Sequence, residues 1–98
     1  MAIMEISIIP IGTKTTSVSK YVASAVKIIK HHGLKYKLCP MGTIIEGDIE
    51  QLFNIAEVMH ESVFREGATR VVTNIKIDDR RDKKSSMEQK IKSVIKKI

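Results

Sequence analysis

The sequence predicts an α+β fold, in which four strands and two helices follow the order βαββαβ and a further helix ends the chain. In four segments, apolar residues alternate with polar ones, as they do in half-buried strands. In the segments between them, apolar residues recur every three to four positions, as in amphipathic helices. With 98 residues, the chain is long enough for one small domain.

The first half of the chain contributes a strand and a helix. A strand is predicted over residues 3–9, and Pro10 is expected to stop it. A helix is then predicted from an N-cap at Ser17 to about His31, with Gly33 free to adopt the left-handed conformation that ends many helices.

The middle of the chain repeats the pattern with an extra strand. Two short strands are predicted over residues 34–38 and 43–46. Asp48 and Gln51 have the spacing of a capping box, which predicts that a helix begins there. Residues 70–78 alternate most regularly and form the fourth predicted strand.

The C-terminal segment is predicted to be a basic helix capped by Ser86 and Gln89. We expect residues 85–98 to belong to the same domain as residues 1–84, whose two βαβ units predict a ferredoxin-like antiparallel sheet with helices on one face.

The net charge of +6 is concentrated at one end of the chain. Residues 80–98 hold eight Lys and Arg against two acidic residues, which accounts for the whole +6. The first 79 residues hold nine basic and nine acidic side chains and are neutral. This distribution argues against a phosphate-binding surface spread over the domain, although the basic tail could contact phosphates nonspecifically.

Helices on one face leave the other face of the sheet uncovered. Met4, Ile6 and Ile8 are expected to face the helices, whereas periodicity does not decide which side chains of the third strand face outward. Mixed apolar and polar character suits self-association that encloses a small polar molecule, or a half-polar dimer interface without any ligand. The side chains expected on this open face include Ile3, Glu5, Ser7, Ile9, Val72 and Asn74.

The segment from Met41 to Gly47 is the most unusual in the sequence. Glycines at both ends of a short strand allow close approach of a neighbour or a ligand, and Thr43 and Glu46 add a hydroxyl and a carboxylate. A carboxylate in an apolar setting needs a base, a hydrogen-bond donor or water. Glu46 therefore contacts a ligand or is a surface residue placed before a helix N-terminus.

No constellation of catalytic residues is visible. Cys39 has no neighbouring base to activate it, and the histidines lack the spacing of metal ligands. A single cysteine excludes an internal disulfide, and this favours a reducing, cytoplasmic setting. The start of the chain resembles neither a secretory signal nor a membrane span. The run from Thr13 to Ser19 could hold an anion but is more typical of a capped turn.

The predicted strands are poor in aromatic residues, which argues against an RNA-recognition domain that stacks bases on its sheet.

Several segments taken together resemble the small thiamine-binding-like protein family, the single-domain relatives of the tandem thiamine/hydroxymethylpyrimidine-binding proteins. The resemblance covers nearly the whole chain. Its most specific parts are Pro40-Met41-Gly42-Thr43-x-x-Glu46-Gly47 and Asp79-Arg80-Arg81-Asp82-Lys83, and its more general parts include Ser17-Val18-Ser19-x-Tyr21, Gly33-Leu34-x-Tyr36 and His60-Glu61.

The resemblance implies a homo-oligomer, often a tetramer, in which sheets meet and thiamine or its aminopyrimidine is bound without turnover. Together with the residue patterns described above, it leads us to expect no enzyme activity, resident cofactor, metal, specific nucleic acid or membrane partner. The Thr43/Glu46 motif is the ligand contact that it suggests, while Ser7 and Asn74 are added from the predicted geometry and Glu5 as a carboxylate near the thiazolium. The expected interface comprises Ile3, Ile9, Val72, Arg80 and Arg81.

An alternative from another class is a regulatory or interaction module of the amino-acid-sensor (ACT-like) type. Its ligand would be an amino acid, or it would bind a partner protein. A panel of metabolites separates this alternative from thiamine binding.

Overall fold

The computed structural model describes residues 1–13 and 19–98 and contains seven elements of secondary structure. The predicted N-cap Ser17 and most of the 13–19 run lie outside the described residues. None of the described helices is long and apolar enough to cross a membrane. The elements are β1 (Ala2–Ile11), α1 (Ser19–His31), β2 (Lys35–Cys39), β3 (Gly42–Gly47), α2 (Ile49–Arg65), β4 (Arg70–Asp78) and α3 (Met87–Ile95).

The four strands form one antiparallel sheet in the order β2-β3-β1-β4, which confirms the predicted ferredoxin-like arrangement. The core lies between the sheet and the two helices, where Met4, Ile6, Ile29 and Leu52 are almost completely buried. Apolar residues at period two in β1 and at helical period in α1 and α2 place these side chains on facing surfaces.

The cross-strand register fixes which side chains share a face. Met4 pairs with Ile45 and Ile6 with Thr43, so Thr43 lies on the helix-covered face. Ile3 pairs with Glu46, which places Glu46 on the open face. The register therefore settles the orientation of β3, which periodicity left undecided.

The prediction that Pro10 stops the first strand is wrong. β1 continues to Ile11, with Pro10 opposite Val71 of β4. Pairing between β1 and β3 ends at Ile6, so among the described strands only β4 accompanies β1 at Pro10. A proline lacks an N–H donor and is tolerated in a strand where one edge is not paired.

The predicted helix ends agree with the structure where it describes them. Gln51 accepts a hydrogen bond from the backbone N–H of Asp48 at 3.0 Å, as in a capping box. Ser86 accepts one from the backbone N–H of Gln89 at 3.2 Å and caps α3. After α1, Gly33 has a φ of +69°, the left-handed conformation expected there.

Candidate functional site

A cavity of about 310 Å³ lies between the sheet, α1 and the β2–β3 turn. The cavity forms because β1 extends to Ile11, whereas its pairing with β3 ends at Ile6. From Ser7 onward, the edge of β1 that faced β3 is not paired with any other described strand. Its floor and walls are mostly apolar and are formed by Ile6, Ala25, Met59, Val63 and the ring of Tyr21.

Thr43 is the buried polar residue of this cavity. Its side chain lies on the helix-covered face, it is only 5% exposed, and it makes no side-chain hydrogen bond within the described chain. Among the described residues, every fully buried side-chain oxygen has a hydrogen-bond partner. Because the Thr43 hydroxyl has no such partner, it is not fully buried, and it is accessible from the cavity that Thr43 lines. Ser7, Cys39 and Tyr21 are the other lining residues that carry a polar side chain, and the register places the side chain of Ser7 on the open face beside Asn74.

Gly42 sits where a larger residue would not fit. An ideal Cβ at this position would lie 3.2 Å from the backbone oxygen of Ile6 and 3.6 Å from Cγ of Glu5. The strand can approach β1 this closely because glycine has no side chain. The Glu5 side chain consequently lies beside Gly42, on the open face and next to the cavity lining.

Glu46 takes part in a different arrangement. Its carboxylate accepts a hydrogen bond from the backbone N–H of Met87, the first residue of α3, and lies 3.6 Å from Nζ of Lys35. Lys35 in turn pairs with Glu88 at 2.6 Å. A negative charge at a helix N-terminus is stabilising, and the pair with Lys35 offsets the cost of burying the carboxylate. Glu46 thus has both a basic partner, Lys35, and a hydrogen-bond donor, the Met87 N–H, as expected for a carboxylate in an apolar setting.

The predicted ligand residues are therefore divided between two surfaces. Thr43 and Ser7 both line the cavity, whereas Glu46 anchors α3 and does not line it. Ser7 is opposite Asn74 in the register and Glu5 is opposite Lys76, so the side chains of Ser7, Asn74 and Glu5 all lie on the open face, although Ser7 also borders the cavity.

The residues predicted for an oligomer interface also fall into two groups. Ile9 and Val72 are cross-strand partners and are 45% and 39% exposed, while Ile3 is half-buried on the same face. Arg80 and Arg81 lie in the charged loop after β4 and are exposed. Each pairs within the chain: Arg80 with Asp82 at 2.6 Å and Arg81 with Asp79 at 2.7 Å.

Sequence reasoning missed Tyr21, Cys39 and Met59 as parts of a site. Tyr21 and Met59 belong to apolar helix stripes that usually signal only a core. Their proximity to the β2–β3 turn depends on the gap left by the short β3. The spacing of Thr43 and Glu46 does indicate their separation, since residues three apart in a strand face opposite sides of the sheet.

Comparisons with known proteins agree on one family. The model of the family described as "Thiamine-binding protein" matches residues 4–95. The UPF0045 protein YqgV of Bacillus subtilis is 51% identical to this chain, with 100% of this chain and 98% of the relative covered. The UPF0045 protein of Methanothermobacter thermautotrophicus is 41% identical over the full length of both chains.

Solved structures show the same fold. The hypothetical protein MJ1052 of Methanocaldococcus jannaschii superposes with a TM-score of 0.87 at 40% identity, covering 95% of this chain and 94% of that one. A Thermotoga maritima protein described as a candidate for thiamine biosynthesis or salvage superposes with a TM-score of 0.80. It is 20% identical, with 95% and 97% of the two chains covered, and at that identity the likeness concerns the fold alone. On the strength of the family match and of these close relatives, the chain belongs to the thiamine-binding protein family.

Proposed function

We propose that this protein binds an aminopyrimidine of the thiamine type, without transforming it, in the cavity beside Thr43. The observation that carries the proposal is an accessible hydroxyl on a buried residue in a mostly apolar cavity of about 310 Å³. Small-molecule sites have this character: apolar walls and a few polar groups that fix orientation. Membership of the thiamine-binding family supports the choice of ligand.

The polar groups of the cavity suit an aminopyrimidine. Such a ring offers an exocyclic N–H donor and ring-nitrogen acceptors, and the Thr43 hydroxyl can both donate and accept. Ser7 lies on the part of β1 that no described strand covers on that edge, so polar groups of this segment are available as well. The Tyr21 ring and the aliphatic walls would pack against the faces of the heterocycle.

The charge distribution favours a neutral ring inside the cavity. No Asp, Glu, Lys, Arg or His is among the described residues that line it. We expect the pyrimidine to lie inside and the thiazolium cation of thiamine to lie at the mouth, where Glu5 is beside Gly42. The same absence of a general base beside Cys39 and Ser7 supports binding without catalysis.

A second copy of the chain is proposed to complete the site. Ile9, Leu38 and Met41 line the cavity and are exposed, with Met41 89% exposed. Ile9 and Val72 continue this apolar surface across the open face of the sheet. Sheets meeting through their open faces would cover Ile9 and Val72, as expected for a homo-oligomer of the predicted tetrameric type.

Calorimetric titration with hydroxymethylpyrimidine and with thiamine tests the proposal. The wild-type protein should bind, and Thr43→Val, which keeps the shape but removes the hydroxyl, should bind at least about tenfold more weakly. Asn74→Ala is the matched control, since Asn74 does not line the cavity and its side chain lies on the open face, opposite the face that carries the Thr43 hydroxyl.

Two outcomes would contradict the proposal. The first is the absence of heat with either ligand at millimolar concentration. The second is a loss of binding in Asn74→Ala with none in Thr43→Val, which would move the ligand to the open face where Asn74 and Glu5 were predicted to contact it. Binding of an amino acid instead of both ligands would favour the sensor-type alternative.

A further inference from the structure

A second hollow, of about 400 Å³, lies between the charged loop after β4 and α3. Three of its lining residues, Ser85, Gln89 and Ser93, are neutral and polar. No acidic and no apolar residue is among the described residues that line it. All the others are cationic: Arg80, Lys83, Lys84, Lys90, Lys92 and Lys96.

The acidic residues around this hollow are already paired. Asp82 pairs with Arg80, Asp78 with Lys90 at 2.5 Å, and Glu88 with Lys35. The remaining four lysines of the lining have no ion pair within the described part of the chain. These unpaired lysines are Lys83, Lys84, Lys92 and Lys96.

The folding of the chain brings these charges together. Lys92 and Lys96 are four residues apart at the C-terminal end of α3 and lie on one side of it, and Lys83 and Lys84 come from the loop that leads into the same helix. Like charges held at this separation repel one another and lower stability. A bound anion with several charges would relieve that repulsion at one place.

We propose that this hollow is a binding site for a small molecule that carries two or more phosphate groups. Ammonium, guanidinium, hydroxyl and amide groups are all hydrogen-bond donors suited to phosphate oxygens. The volume is that of a small-molecule site, and the lining has no aromatic side chain on which a nucleic-acid base could stack. A short oligophosphate therefore fits the hollow better than an RNA or DNA strand does.

This site is separate from the cavity beside Thr43. The charged loop follows Asp78, which pairs with Ile3 at the start of β1, whereas the Thr43 cavity lies along Ser7 to Ile9. The two sites share no lining residue. The phosphate proposal consequently does not depend on whether thiamine binds.

Titration of the full chain with sodium triphosphate tests this proposal. Binding should be measurable at roughly 10 mM ionic strength and should weaken strongly at roughly 100 mM, as the screening length falls from about 30 Å to about 10 Å. The triple variant Lys83→Gln/Lys92→Gln/Lys96→Gln should bind at least about tenfold more weakly.

The matched control removes the same amount of charge elsewhere. Lys27→Gln/Lys30→Gln/Lys37→Gln changes three exposed lysines that do not line the hollow and should retain the wild-type affinity to within about twofold. An equal loss in both triple variants would mean that only the overall charge matters and would overturn the proposal. So would the absence of binding at low salt, or binding of a single-stranded oligonucleotide but not of triphosphate.

Discussion

Glu46 on β3 accepts a hydrogen bond from the backbone N–H of Met87, which lies 41 residues further along the chain and begins α3. This contact joins the C-terminal helix to the open face of the sheet. Met87 is the one buried residue of α3, while Ile91, Val94 and Ile95 are exposed. The attachment of α3 therefore depends on its first turn.

Replacing Glu46 should loosen α3. Glu46→Ala removes the acceptor of the Met87 N–H and one partner of Lys35, and leaves a buried donor unsatisfied. We expect the free energy of unfolding to fall by about 1–3 kcal/mol, as measured by urea denaturation. Glu57→Ala is the control, because Glu57 is exposed on α2. Equal, small effects of both changes would contradict the role assigned to Glu46.

Acidification should lower the stability of the protein through the ion pairs at α3 and in the charged loop that precedes it. A hydrogen bond from Lys35 holds the pKa of Glu88 below its ordinary value of 4.5, and one from Arg80 holds the pKa of Asp82 below 3.8. A lowered pKa in the folded state stabilises the protein above the ordinary value, and this contribution is lost as the pH falls through the folded pKa. The urea concentration at the midpoint of unfolding should therefore decrease as the pH is lowered from about 5 to about 3.

The variant Glu88→Gln isolates one part of this pH dependence. It should be less stable than wild type at pH 7 and should show a smaller fall on acidification, since it has no carboxylate to protonate. An identical pH profile for the variant and the wild type would show that the Lys35–Glu88 pair contributes nothing measurable.

Gly42→Ala should disturb the junction of β1 and β3. The added Cβ would lie 3.2 Å from the backbone oxygen of Ile6 in a central strand, which has little freedom to move. We expect a loss of about 1–3 kcal/mol in unfolding free energy. In Gly47→Ala the closest atom is the side-chain Oε1 of Gln51, also at 3.2 Å, which can move more easily than backbone, at the cost of weakening its hydrogen bond from the Asp48 N–H. A larger loss for Gly47→Ala than for Gly42→Ala would contradict this interpretation.

Self-association through the open face should depend on Ile9 and Val72. The double variant Ile9→Lys/Val72→Lys places two charges on adjacent cross-strand positions and should reduce the mass measured by light scattering toward the 11.0 kDa of one chain. Phe53→Lys is the control, since Phe53 is an exposed apolar residue of α2. A wild-type mass of a single chain would contradict the proposed oligomer.

The ferredoxin-like fold could be predicted from the succession of strands and helices, and the facing of β1 from its long alternating segment. Met4 and Ile6 are buried as predicted, and β4 spans residues 70–78 as predicted. Short β3 carried too little periodicity, so its register had to come from its pairing with β1. The end of β1 was predicted too early because a proline is tolerated where one strand edge is unpaired, and at Pro10 β4 is the one described strand that pairs with β1.

The candidate site was only partly predictable, for a related reason. Thr43 and Ser7 stood out as polar groups in apolar surroundings, and both line the cavity. Tyr21 joins them only because α1 crosses the region that β3 does not reach. The Glu46–Met87 contact spans 41 residues and has no local sequence signal, so only the folded structure reveals that this carboxylate is engaged.

The most direct test of the proposed function is to map bound hydroxymethylpyrimidine on the isotopically labelled protein by NMR chemical-shift changes. We predict that the largest changes fall on the amides of Ile8, Tyr21 and Thr43, with smaller changes at Asn74 and Lys76. Changes confined to Asn74, Lys76 and Glu5, or no changes at all under saturating ligand, would contradict binding in the cavity beside Thr43.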